Sequence, residues 1–158
     1  MPDESAPHTR TWMAFGASAA IWGDDLLPLV RRNLATLARA IGQFEPVTML
    51  VRPRERKIAQ GLLGDARNVS LIDCPIDDLW IRDTGPTFVI NESNGLAAVD
   101  FNFNGWGRKQ AHAQDAKVAA FIARQAKVDR LKADLVMEGG CIEVDGEGTA
   151  IITESCTL

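Results

Sequence analysis

Histidine and cysteine are scarce in this 158-residue chain: it has two histidines, His8 and His112, and three cysteines, Cys74, Cys141 and Cys156. The odd cysteine count and the lack of any C-x-x-C spacing argue against a disulfide framework and a zinc knuckle. With so few imidazoles, a transition-metal site is not expected. Long apolar runs are also missing, so no membrane-spanning helix is expected, and "MPDESAPHTR" lacks the basic-then-apolar order of an export signal. The expectation is a cytoplasmic protein, with the reservation that "MPDE" is equally compatible with an internal position behind a lost signal. Nor is there an excess of positive charge: 17 Lys and Arg stand against 21 Asp and Glu, for a net charge of −4 and a pI near 5.2. A general affinity for nucleic acid or an anionic membrane is therefore not expected, whereas a small cation would suit the balance.

What is present fits one domain with one core, since 46% of residues are hydrophobic and 24% charged. Leu27, Val30, Leu34, Leu37 and Ile41 recur at three- and four-residue steps, which predicts an amphipathic helix over 24–41 capped at Gly42. Val47–Val51 and Val69–Cys74 read as strands, with a short helix over Arg54–Leu63 between them. The grammar then changes. Thr87–Asn91 and Leu96–Phe103 flank "ESNG" as a hairpin, and a helix is predicted over Gln110–Lys127 with Val118, Phe121 and Ile122 facing inward. "DLVMEGGCIEVDGEGTAIITE" predicts a strand, a glycine turn and a second hairpin. A unit of two strands, helix and strand thus starts over, and the fold class is α/β.

Each hairpin follows an acidic, glycine-containing corner: Asp83 with Gly85 in "DDLWIRDTGP", and Glu138 with Gly139 and Gly140. Two carboxylates at such corners can face one space, where a guanidinium would offer its fork of N–H donors and an indole such as Trp80 would stack on its face. The same residues also have a plain structural account. Asp83 can serve a turn, Arg82 can pair with a neighbouring aspartate, and Glu138 can accept from the amides of the glycine turn.

Five stretches, taken together, resemble the agmatine deiminases and bacterial peptidyl-arginine deiminases: Met1–Gly16, Phe44–Val51, "DDLWIRDTGPTFV", "FNFNGWG" and "EGGCIEVDGEGTAIITESC". The resemblance implies the pentein fold, an α/β-propeller of ββαβ units, here as an incomplete ring, with residues 1–158 forming the N-terminal portion of a single catalytic domain. It implies that Asp83 grips a substrate guanidinium, that Trp80 walls the site, and that Glu138 orients a catalytic histidine. Trp106 either borders the pocket or serves structure, and at least one of Asp77 and Asp78 stabilises the loop. The implied reaction is cofactor-free hydrolysis of a guanidino C–N bond through a cysteine thiolate, with agmatine, peptidyl arginine or free arginine as substrate.

The family's histidine segment, H-x-D, and its nucleophile segment, G-G-G-x-x-H-C, do not occur in these 158 residues. No nucleophile is therefore assigned in this chain. Cys141 is expected to be a buried structural thiol, Cys74 to lie in a strand and Cys156 at a hairpin end, with His8 and His112 structural or surface residues. Two functional classes follow: an N-terminal part of a deiminase, inactive alone, or an inactive pentein remnant or binding module. An incomplete ring also predicts self-association, or association with a missing C-terminal half.

Overall fold

A strand covered on both faces is apolar along its whole length, and Val47–Val51 meets that requirement with a single threonine. In the computed structural model, which describes residues 1–157, this run is the centre of a parallel sheet. The sheet has the order β1 (Thr11–Phe15), β2 (Val47–Val51) and β3 (Val69–Asp73). Every residue of β2 is buried. The sheet belongs to the first of two compact units, residues 8–81; residues 1–7 and the chain from Arg82 onward form the second.

Helix α1 (Ala19–Ile41) is broken at Gly23, whose φ of 69° is not helical, so the regular helix begins at Asp24 as the sequence predicts. Its inward stripe runs through Val30, Leu34, Ala35, Ala38 and Ile41, and Leu37 is 54% exposed instead of facing the core. The small Ala38 takes the inward position, where α1 approaches the sheet closely. Gly42 caps the helix with a right-handed φ of −60°; a Cβ there would come within 3.1 Å of the Ala38 and Arg67 carbonyl oxygens. Helix α2 (Arg56–Leu63), entered through a 3-10 turn at Pro53–Glu55, adds Ala59 and Leu63 to a core with Met13, Phe15, Met49 and Val51. Each large apolar side chain buried there contributes about 1.5–3 kcal/mol.

In the second unit a short turn of helix, α3 (Ile81–Thr84), precedes β4 (Thr87–Ile90) and β5 (Leu96–Asp100), an antiparallel hairpin with Ile90 opposite Leu96. Asn91 shapes its loop, the Oδ1 accepting the N–H groups of Ser93 and Gly95 at 3.0 and 2.7 Å. A left-handed turn, α4 (Gly105–Arg108), leads on to α5 (Val118–Ala126), which starts later than predicted after a 3-10 turn at Asp115–Lys117. Val118, Ala119, Ile122 and Ala123 are its buried face, and Phe121 is only half-buried, with the Arg124 guanidinium over its ring. Whereas β1 to β3 are all parallel and contain no hairpin, strand β6 (Asp129–Lys132) pairs parallel with β5, so hairpin, helix and strand form one ββαβ unit here.

That strand lies upstream of the one expected at "DLVMEGG". Residues 133–137 are irregular, because Asn102, in the left-handed region at φ 57°, donates from Nδ2 to the Ala133 and Leu135 carbonyls at 2.7 and 2.9 Å. A 3-10 turn at Gly139–Cys141 opens the predicted second hairpin, β7 (Ile142–Val144) with β8 (Ala150–Ile152), and a short helix α6 (Glu154–Thr157) follows. Among the described residues no helix is long and apolar enough to cross a membrane.

Candidate functional site

Asp83 sits on α3, where the Gly85-Pro86 step ends the helical turn. Its Oδ2 accepts from the Trp106 indole Nε1–H at 3.1 Å, and the Gly140 backbone N–H donates to the same carboxylate. Burial raises the Asp83 pKa above the ordinary aspartate value; the Trp106 bond opposes that rise, the nearby Glu138 charge adds to it, and Gly140 and Arg82 oppose it further. The Glu138 charge therefore acts on Asp83 within the second unit.

Their surroundings leave little room. A Cβ on Gly140 would lie 2.4 Å from Asp83 Oδ1, and one on Gly139 would lie 2.5 Å from the Arg82 carbonyl oxygen. The double glycine is thus required by close approach to the Asp83 turn. Glu138 is 9% exposed, and its Oε2 accepts from the Cys141 thiol at 2.8 Å, a partner different from the glycine-turn amides considered from the sequence. Burial and this bond push the Cys141 pKa up to about 12, so the thiol keeps its proton at neutral pH, as expected of a buried structural cysteine.

Trp106 is held in place by its backbone. Gly105, Trp106 and Gly107 all have positive φ (73°, 56° and 74°), and Asn104 Oδ1 closes the turn by accepting the Gly107 N–H at 2.8 Å. A tryptophan in the left-handed region costs about 1–2 kcal/mol. Edge-on packing against Phe103, at a centroid distance of 4.9 Å, and the bond to Asp83 offset that cost. His112 packs edge-on to Phe103 as well and its Nδ1 bonds the Gln110 carbonyl, a structural role as expected. Arg82 pairs with Glu4, with Glu143 at 3.8 Å.

Residues 77–81 of "DDLWIRDTGP" lie in the first unit. Asp78 is 2% exposed and its Oδ1 accepts the Trp22 indole N–H at 2.9 Å; Gly16 packs so tightly beneath it that a Cβ there would lie 2.0 Å from the Asp78 carbonyl oxygen. Asp78 therefore stabilises the loop. Trp80, 44% exposed, stacks on Trp22 at 6.1 Å between centroids. Arg52 was not legible as important in the sequence. Its buried guanidinium donates to the Ile76 and Asp77 carbonyls at 3.2 Å and to the Ala17 carbonyl at 2.8 Å, while Nε bonds Glu55 at 2.6 Å. It pins the start of the motif. His8 pairs with Glu45 in the same unit, again structurally.

Two cysteines differ from expectation in their elements. Cys74 lies just past β3, its N–H bonded to the Val51 carbonyl, and Cys156 lies on α6. The β7–β8 hairpin returns Cys156 to Cys141, so that these two sulfurs and a Glu138 oxygen all lie within 4.8 Å of one another. Sequence spacing concealed this group, since its members are brought together by strand register.

Comparison with known proteins gives a consistent result. The model of the Porphyromonas-type peptidyl-arginine deiminases matches residues 1–158. The agmatine deiminase of Stutzerimonas stutzeri is 42% identical over 164 residues, covering all of this chain and 44% of that protein. That of Ectopseudomonas mendocina is 40% identical with the same coverage. A solved agmatine deiminase of Enterococcus faecalis superimposes with a TM-score of 0.90 at 33% identity, over all of this chain and 44% of that one. The chain thus spans less than half the length of these relatives.

Proposed function

Because the chain belongs to the Porphyromonas-type peptidyl-arginine deiminase family and has its pentein fold, we propose that it forms the guanidinium-holding part of a C–N hydrolase. The proposed substrate is agmatine, converted to N-carbamoylputrescine and ammonia in polyamine biosynthesis, and peptidyl or free arginine is the alternative. Support for agmatine comes from the names of the relatives. Residues 1–158 are proposed as the N-terminal portion of a single catalytic domain.

One observation carries the reading: the Asp83 carboxylate is oriented by two N–H donors while a second carboxylate, Glu138, stands beside it. A carboxylate fixed in this way accepts the paired N–H groups of a guanidinium and keeps it cationic, which holds its carbon electrophilic. Trp106 acts as a positioning residue for Asp83 and borders the pocket. Glu138 is proposed to orient the histidine that protonates the departing ammonia and then activates water.

The attacking thiolate is proposed to come from outside these residues. Cys141 is protonated and bonded to Glu138, Cys74 is buried in the first unit, and Cys156 lies on an exposed helix. The partner proposed for the second unit is accordingly the further length that the relatives possess. A cytoplasmic setting belongs to the same proposal, since three free cysteines suit a reducing compartment. The second reading, a binding-only member of the fold, draws on the protonated state of Cys141.

Calorimetric titration of the chain with agmatine tests the site. Wild type is expected to bind and Asp83→Asn to lose about thirtyfold or more, the cost of leaving a desolvated cation without its anion. Equal affinity in the two proteins would remove Asp83 from the site. Ureido product formed only when the C-terminal length of a relative is supplied would separate the enzyme from the binding-only reading.

A further inference from the structure

The sulfurs of Cys141 and Cys156 and a carboxylate oxygen of Glu138 all lie within 4.8 Å of one another, and the Cys141 sulfur is 2.8 Å from Glu138 Oε2. We propose that these three side chains form a binding site for a thiophilic divalent cation of the zinc and cadmium class. The site is independent of the guanidinium reading.

The backbone builds it in two steps. The β7–β8 register sets Ile142 opposite Ile152, and the Thr153 N–H donates to the Cys141 carbonyl at 3.2 Å, which extends the hairpin by a further pair. One turn of α6, begun by the Cys156 N–H donating to the Thr153 carbonyl at 3.1 Å, then swings the Cys156 side chain back over Cys141. Glu138 reaches the same point from the other end of the 3-10 turn. Tetrahedral coordination with metal–sulfur bonds of about 2.3 Å and metal–oxygen bonds of about 2.0 Å needs donor separations of about 3.5–3.8 Å. On loading, the Cys141 sulfur and the Glu138 oxygen therefore move apart by roughly 0.7 Å, and Cys156, whose short surface helix is the least constrained of the three supports, adjusts to complete the site.

Two thiolates select a soft or borderline cation over magnesium or calcium, and one carboxylate leaves the fourth position to water. Binding replaces two S–H bonds by two metal–sulfur bonds and releases two protons to the buffer, so no oxidant or reductant is involved. Cys141 and Glu138 are buried and Cys156 is exposed, so the cation enters from solvent through Cys156. Glu138 cannot hold the cation and also orient a reacting group. That competition, unlike the binding itself, rests on the guanidinium reading.

Cadmium titration of the chain under a phosphine reductant, followed by thiolate-to-metal charge-transfer absorption, tests the site. Absorption saturating at equimolar metal, displaced by zinc and untouched by excess magnesium, is expected. Cys156→Ser, a change confined to an exposed side chain, should abolish it, as should Cys141→Ser; Glu138→Gln should weaken binding about tenfold or more. No absorption at equimolar cadmium, or undiminished absorption in Cys156→Ser, would overturn the proposal, and both readings are separate from agmatine binding followed by calorimetry.

Discussion

A half-buried carboxylate beside a second carboxylate holds its proton to higher pH, and Asp83 is such a group. Guanidinium binding needs the anion, so agmatine affinity should fall as pH drops through a midpoint above the ordinary aspartate range. Trp106→Phe removes a bond that favours the anion, so the midpoint should rise further and affinity should weaken at neutral pH; calorimetry across a pH series reads both. A midpoint unmoved by that substitution would detach Trp106 from Asp83. For folding the sign is reversed. The raised pKa means the native state binds the extra proton, so this group's contribution to stability declines as pH rises from the unfolded to the folded value. The pairing of Asp83 with Glu138 was legible in the sequence because both stand at glycine corners. The Trp106 link was not, because it depends on a tryptophan entering left-handed backbone between two glycines. Nor was Arg52, since no local pattern distinguishes a buried guanidinium from a surface one.

Among the elements, those with a full apolar period were legible and those built by pairing were not. β2 and the body of α1 follow from hydrophobic spacing alone, whereas β6 reads Asp-Arg-Leu-Lys, is exposed throughout, and is a strand only because it pairs with β5 and Arg130 bonds the buried Asp100 at 2.9 Å. The same reasoning explains why "DLVMEGG" misled: its apolar residues attracted a strand assignment, while Asn102 holds the backbone irregular. Two elements carry sharp predictions. In the 3-10 turn, Gly140→Ala forces a methyl group onto Asp83 Oδ1, and should cost about 1–3 kcal/mol in urea denaturation and most of the agmatine affinity. Unchanged binding would mean that the carboxylate has freedom the packing denies it. Just past β2, Arg52→Met leaves Glu55 buried with one partner fewer and three carbonyls without their donor, an expected loss of about 3–5 kcal/mol. A loss below about 1 kcal/mol would mean that Arg52 does not pin the motif.

For the molecule as a whole, apolar surface is the telling quantity. The second unit exposes Ile151 at 72% and Ile152 at 54% on its last strand, and the first unit exposes Leu26, Leu29 and Leu37 along α1. Side chains of this kind are ordinarily covered when they cluster on one element. The relatives have more than twice this length, and the occupant proposed for the last strand is that further chain. The 158 residues alone should therefore associate as concentration rises, which sedimentation velocity will detect; a monodisperse monomer with a single cooperative melt would refute it. The resemblance in five stretches foresaw the family, and the full-length match of the family model bears it out. The bond between the second glycine and the aspartate of the first corner reaches further still. With no space between Gly140 and Asp83, neither position can drift alone. Any lineage that enlarges one must shrink the other, so the two are expected to be inherited together and lost together.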